Sequence, residues 1–243
     1  MKFQTLILAF LIALLAVQAP PTRAQDESSP VDTPELWLQR KADDLYRNGH
    51  WERAHFIYVN ELAALGDKYA QYMAGYMYLN GKGVERDKVQ AAAWYRLAAE
   101  RDGKEFIKVR DELLESMSEE SRVASDEIFI SLRPRYSDLV LILDQLREER
   151  EALEGNTTGS RLSGKSTSVT ILDPRTGMTM SRSAYIGRLE RRMKLQLDYL
   201  ASKLDLERID PDMDDDDFES LEAQVTAWLA SVNDRQVGAP HSE

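Results

Sequence analysis

The sequence predicts a mainly α-helical fold: a short α-solenoid of antiparallel helix pairs, then a helical tail that contains one small β-hairpin. Three observations lead there. Apolar residues recur at helical spacing from Glu35 onward. Glycine turns, at Asn48-Gly49 and Asn80-Gly81-Lys82-Gly83, divide those stretches into pairs. Two of the pairs also repeat each other at fixed offsets, as solenoid units do.

Residues 1–24 read as an export signal. Lys2 supplies the positive end, Leu6 to Val17 the apolar core, and Thr22-Arg23-Ala24 a small-residue cleavage site. The apolar core has 12 residues, too few for a spanning helix. The expected product is therefore exported and soluble, periplasmic or secreted, with no stable membrane insertion after cleavage. Losing Lys2 and Arg23 makes the remainder two charges more negative than the chain's −11, which argues against nucleic acid as a partner. The absence of cysteine excludes a lipidated cysteine and any disulfide framework. Roughly 220 residues after cleavage suit one or two domains with a sizeable core. With 30% charged and 43% hydrophobic residues, much of that length must be exposed helix or linker. Residues 25–35, polar and proline-punctuated, read as a flexible leader.

Residues 36–133 carry the repeats. In the first unit Leu38, Ala42, Leu45 and Tyr46 lead to Asn48-Gly49, and Ala54, Ile57, Tyr58 and Leu62 lead to Gly66. The second and best-formed unit spans residues 70–103. Ala70, Ala74 and Tyr78 stand four apart on one helical face, with Gly75 beside them as a point of close backbone contact. Gly81 and Gly83 can take positive φ, and Val84 tucks back onto the helix ends. Asp87 with Gln90 predicts a capping box, after which Ala91, Trp94, Tyr95, Ala98 and Ala99 form an apolar stripe. Small residues near Gly75 and Ala98 allow close approach, and Tyr78, Trp94 and Tyr95 fill the space between neighbouring pairs. Tyr46 to Tyr78 and Gly49 to Gly81 are offset by 32 residues, whereas Ala54 to Ala91, Tyr58 to Tyr95 and Gly66 to Gly103 are offset by 37. The difference falls in the loop, so the first unit is an abbreviated copy. A third unit has Phe106, Val109 and Leu113 on one helix and Ala124, Ile128 and Leu132 on the next, which starts at Met117-Ser118. Glu112 stands where Gly75 would match, so this unit reads as a capping helix pair that covers the last apolar face.

The 70–103 stretch resembles the Sel1-like repeat, a relative of the tetratricopeptide repeat. The matching residues are Ala70, Tyr72, Gly75, Tyr78, Gly81-Lys82-Gly83-Val84, Asp87, Ala91, Trp94-Tyr95, Ala98-Ala99 and Gly103. What the resemblance implies is a scaffold that presents a concave helical surface to peptide or protein partners, often in signalling or envelope regulation. In stacked helix pairs the first helices line that surface, which makes Tyr69, Tyr72, Tyr76 and Met77 the candidates to meet a partner.

Residues 134–206 begin the tail. Pro134 is expected to break the helical pattern, and Ser137 to cap a helix running to Leu153 with Leu139, Leu143, Leu146 and Leu153 on one side. Residues 155–167 read as a loop, including the glycosylation-like triplet Asn156-Thr157-Thr158. Residues 168–173 and 178–182 flank Pro174-Arg175-Thr176-Gly177, a β-hairpin pattern. Ser183 then starts a long helix with Tyr185, Leu189, Met193, Leu197, Leu200 and Leu204 along one side. Residues 207–217 form an acidic linker, with Asp217 as cap of a last helix, 218–233, bearing Phe218, Leu221, Val225, Trp228, Leu229 and Val232; residues 234–243 read as a disordered tail. The heptad-like faces of 137–153 and 184–206 can pair within the chain or between copies, so self-association in a structural envelope protein is the alternative role.

Patterns that suggest chemistry fail on context. Gly159 to Ser166 satisfies the phosphate-loop spacing, and Leu139 to Asp144 imitates its partner strand. However, a charged helical stretch precedes the loop and a strand-like one follows, the reverse of what a phosphate site requires. Asp210, Asp212 and Asp214 alternate as calcium ligands do, but Asp215 replaces the needed Gly and Leu221 the bidentate Glu. Ten acids against one base between Asp205 and Glu222 fit a solvated linker better. His50 and His55 lack the spacing of a zinc pair, and no Gly-x-Ser-x-Gly elbow occurs. The sequence therefore predicts no enzyme, cofactor or metal site. A remaining alternative, an envelope hydrolase or peptidoglycan-binding protein, is implied by cysteine-rich relatives whose repeats are disulfide-linked, and cysteine is lacking here.

Overall fold

Thr33 starts the first helix, its hydroxyl accepting from the Leu36 N–H at 3.3 Å just ahead of Pro34 in the first turn. A computed structural model describes residues 33–101, 103–158, 170–173 and 175–238. Residues 1–32, where an export signal and a leader are expected, the phosphate-loop-like segment 159–166 and residues 239–243 lie outside the described residues.

Helix α1 (Pro34–Arg47) and helix α2 (Trp51–Ile57) form the first pair. α2 runs on through a π turn, Tyr58–Leu62, and a 3-10 turn, Ala63–Leu65. Helix α3 (Lys68–Asn80), capped by the Asp67 carboxylate on the Ala70 N–H, and helix α4 (Lys88–Ala98) form the second pair. Helices α5 (Lys104–Glu115) and α6 (Glu119–Tyr136) follow, and each packs chiefly on α4 rather than on the other, so the expected capping helix pair does not form as a pair. The two pairs and α6 share a core in which Ala42, Ala54, Ala63, Ala70, Ala74 and Ala93 are fully buried. Such small residues let helix backbones approach, while Tyr58, Met77, Trp94, Leu97, Phe129 and Tyr136 supply the bulk. A smaller core joins α4 to α5 through Ala91, Ala92, Tyr95, Leu113 and Met117.

Gly75 shows how close the packing is. A Cβ placed there would lie 2.6 Å from Cδ1 of Tyr95 and 3.1 Å from the Ala91 carbonyl oxygen, so the close approach is to Tyr95 and Ala91 rather than to Ala98. Gly81 ends α3 in the left-handed region, and Gly83 follows at φ +73°. Asp87 caps α4 by accepting from the Val89 and Gln90 N–H groups. The expected capping box is only half formed, because the Asp87 N–H donates to the Tyr78 carbonyl at 2.9 Å instead of to a Gln90 side chain.

Behind the repeats, helix α7 (Asp138–Thr158), helix α8 (Arg182–Leu204) and helix α9 (Asp215–Gly238) enclose a second core. Leu139, Ile142, Leu143 and Leu146 meet Met193, Leu197 and Leu200, with Phe218, Leu221 and Val225 closing the third side. Strands β1 (Thr170–Leu172) and β2 (Thr179–Ser181) pair antiparallel, with Ile171 opposite Met180, as the hairpin pattern predicts.

Several boundaries differ from the sequence reading. Pro134 lies inside α6 and does not break it. Its fixed φ suits a helix, and its missing N–H removes one backbone bond. Burial of Phe129, Arg133 and Tyr136 holds that end in place, and these residues with Ser125 form the most buried stripe of α6, beside which the expected Ala124, Ile128 and Leu132 are half-buried, Ile128 and Leu132 packing on the same core. α7 continues past Leu153 through Asn156 to Thr158, so the glycosylation-like triplet is helical rather than loop. α9 starts at Asp215 with Asp214 as cap, accepting from the Asp217 N–H at 2.9 Å. Asp215, Asp216 and Asp217 thus occupy the first turn, where negative charge complements the helix dipole. The same helix extends five residues beyond 233, to Gly238.

Candidate functional site

Three helices of the repeat region converge on a groove of about 360 Å³. α1 contributes Asp43, Tyr46 and Arg47, the π turn contributes Tyr58, and α3 contributes Tyr69, Tyr72, Met73 and Tyr76. The α3 residues stand at i, i+3, i+4 and i+7, one continuous stripe on a 3.6-residue helix. The π turn shapes the opposite wall. There the Ala63 N–H reaches back five residues to the Tyr58 carbonyl, and this wider turn sets Tyr58 facing α1.

The polar centre of the groove is Asp43. Its Oδ1 accepts from the Tyr58 hydroxyl at 2.5 Å and from the Tyr69 hydroxyl at 3.5 Å. The rings pack edge-on, Tyr46 against Tyr76 and Tyr58 against Tyr69, both with centroids 6.3 Å apart. Tyr72 stacks on Tyr95 at 5.3 Å and lies 5.7 Å from Phe106, so the space left by Gly75 indirectly fixes its orientation. Burial is the main reason these phenols resist ionisation. It pushes Tyr46 up to about 12, helped by Tyr76, and raises Tyr58, Tyr69 and Tyr72.

Of the four expected contact residues, Tyr69, Tyr72 and Tyr76 share this groove. Met77 does not. It is 0% exposed, because the residue after Tyr76 is rotated by about 100° and points into the core. Asp43, Tyr46, Tyr58 and Met73 were missed. A stripe count along α3 would have found Met73, whereas the α1 and α2 residues join only through packing between units. The signature residues are structural: Ala70, Ala91, Trp94, Tyr95, Ala98 and Ala99 are buried, Val84 packs on the first core, and Gly103 caps α5. Tyr78 meets His55 edge-on at 5.2 Å.

A second cavity, about 450 Å³, lies where the repeats meet the tail. Arg96, Arg110, Arg133 and Lys203 enter it from four helices, with Phe129 and Trp228 among its walls. Arg96 pairs with Asp126, and Arg110 with Asp111 at 2.8 Å. Arg133 lies over the Phe129 and Trp228 rings, 5.3 and 5.7 Å from their centroids. Burial lowers the pKa of both Arg96 and Arg133. Beside the cavity, Lys68 Nζ bonds the Leu97 carbonyl at 2.7 Å and pairs with Asp138 at 3.0 Å and Glu100 at 3.3 Å. Arg101 and the Tyr199 hydroxyl also reach Asp138, at 2.9 and 3.4 Å. Lys68, Glu100 and Asp138 thus form a cross-linked, largely buried set of charges, with the half-exposed Arg101 at its edge.

Among the described residues no three His, Asp or Glu side chains converge as metal ligands. Asp212 donates its N–H to Asp210, and Asp214 caps α9. The Sel1 repeat family model matches residues 68–103, that is α3, its glycine loop and α4. No curated protein and no solved structure matches the chain.

Proposed function

Because residues 68–103 match the Sel1 repeat, we propose that the chain is a non-catalytic interaction scaffold that seats a segment of a partner protein in the groove between α1, α2 and α3. Sel1 repeats generally mediate contacts between proteins. The observation that carries the reading is the five-tyrosine wall. Tyrosine offers a large contact area at a small entropic cost, and three of these rings come from the matched repeat itself. Export to the periplasm or the exterior belongs to the same proposal, supported by the signal-like residues 1–24. The assembly role is less well supported, since the apolar stripes of α7 and α8 are buried against each other and α9 within one chain.

Crosslinking in the native envelope tests the scaffold. Replacing Tyr72 and Tyr76 by Ala should abolish capture of a specific partner while the helical signal persists. Undiminished capture of every co-purifying protein would refute the groove as its docking site. Export is checked by mass spectrometry of the mature N-terminus, expected at Gln25; an intact Met1 terminus on cytoplasmic protein would refute it.

A further inference from the structure

Resting on that reading of the groove, we propose that the partner segment is recognised through a basic side chain, an arginine or lysine, laid across the tyrosine faces with Asp43 as its counter-ion. Two features of the groove support this. Its walls are aromatic on both sides, with Tyr46 from α1 facing Tyr69, Tyr72 and Tyr76 from α3. A cation within about 6 Å of such faces is attracted by the negative ring quadrupole.

The second feature is the charge at the floor. Asp43 is the one carboxylate among the lining residues, and the hydrogen bonds from Tyr58 and Tyr69 come from neutral hydroxyls, which orient it without cancelling its charge. Arg47, the one lining cation, turns its guanidinium outward to Asp44 at 3.1 Å and gives its Nε–H to the Asp43 backbone carbonyl, not to the carboxylate. A phenol is protonated at neutral pH, and burial raises Tyr46, Tyr69 and Tyr72 further, so the site presents neutral rings around one negative charge. The chain as a whole carries −11, which favours the approach of a basic partner over an acidic one. A proline-rich segment can also use aromatic grooves, but it gains nothing from a carboxylate at the floor.

The test titrates two capped pentapeptides into the full chain, Ala-Ala-Arg-Ala-Ala and its neutral isostere with citrulline in place of arginine, following aromatic NMR shifts. The arginine peptide should shift Tyr69, Tyr72 and Tyr76 with an affinity on the order of millimolar, and the citrulline peptide should bind about tenfold more weakly. Asp43→Asn, whose amide oxygen can still accept from Tyr58, should reduce arginine binding at least about fivefold. Tyr72→Leu, which keeps an apolar group against Phe106, should do the same. Equal binding of the two peptides, tighter binding of an Ala-Pro-Pro-Pro-Ala control, or no effect of Asp43→Asn would overturn cation recognition and leave the scaffold reading intact. A crosslinked partner mapped away from the groove would instead overturn the scaffold reading. Shifts confined to residues outside the groove would overturn the inference.

Discussion

Gly83 joins the two repeats at a single atom. Its φ of +73° suits glycine, and a Cβ there would collide with the backbone of Trp51 and Glu52 at the start of α2. Lys82 beside it lies 3.9 Å over the Trp51 ring, so the loop of the second repeat is stapled onto the first. Gly83→Ala should cost about 3 kcal/mol in urea denaturation, whereas Gly49→Ala, with φ +81° but open space around it, should cost about 1 kcal/mol. His55 makes a different prediction. Burial lowers its pKa, so the folded state prefers the neutral ring that packs on Tyr78. Its stabilising contribution is complete above the unfolded value near 6.5 and is lost as pH falls through the lowered folded value. Melting temperatures of the wild type should therefore drop from pH 7 to pH 5 more steeply than those of His55→Phe. The tyrosines of α3 were legible because helical spacing alone places 69, 72 and 76 together. Their partners Asp43 and Tyr58 were not, since nothing local brings residues 15 and 26 positions apart to one carboxylate.

Helices and turns were largely legible from periodicity, glycine and capping residues, and the hairpin was visible from its β-branched strands around a proline-glycine turn. Local propensity misleads at Pro134, where burial of Phe129, Arg133 and Tyr136 overrides it. Nor did the sequence show what anchors the hairpin. Asp173, fully buried, pairs with Arg188 at 3.4 Å and Arg192 at 3.6 Å, and Arg192 also holds Glu149 of α7 at 2.9 Å. Burial would raise Asp173, but the hydrogen bonds from the Arg175 N–H and Thr176 and the charges of Arg192 and Arg188 outweigh it and hold the carboxyl below its ordinary value. That contribution is present above about pH 4 and is lost as pH falls through the lowered pKa. Asp173→Asn should speed hydrogen exchange at Thr170–Leu172 and Thr179–Ser181 at neutral pH by about tenfold or more, with little change in α3 and α4. The π turn predicts a second effect. Deleting one residue from Tyr58–Leu62 should restore regular helix, rotate the following corner by about 100° and abolish groove binding, with helix content nearly unchanged by circular dichroism.

Across the whole molecule, the repeats and the tail share one electrostatic joint. Lys68 at the start of α3 is 8% exposed and bridges Glu100 after α4 and Asp138 at the start of α7. Lys68→Met should cost about 3 kcal/mol by leaving buried carboxylates short of a cation, and adding Asp138→Asn should restore part of the loss in a double-mutant cycle. The succession of two helix pairs and further helices, with one small hairpin among them, was readable from sequence. The joint was not, because its members lie up to 70 residues apart and none is a signature residue of the repeat. α6 spans the same boundary, with Phe129 and Tyr136 in the repeat core and Arg133 against Trp228 of α9. One consequence concerns how such an array can grow by duplication. Whichever unit adjoins the tail must carry a cation and a carboxylate at the positions of Lys68 and Glu100 to meet Asp138, whereas a unit inserted ahead of Pro34 is free of that demand.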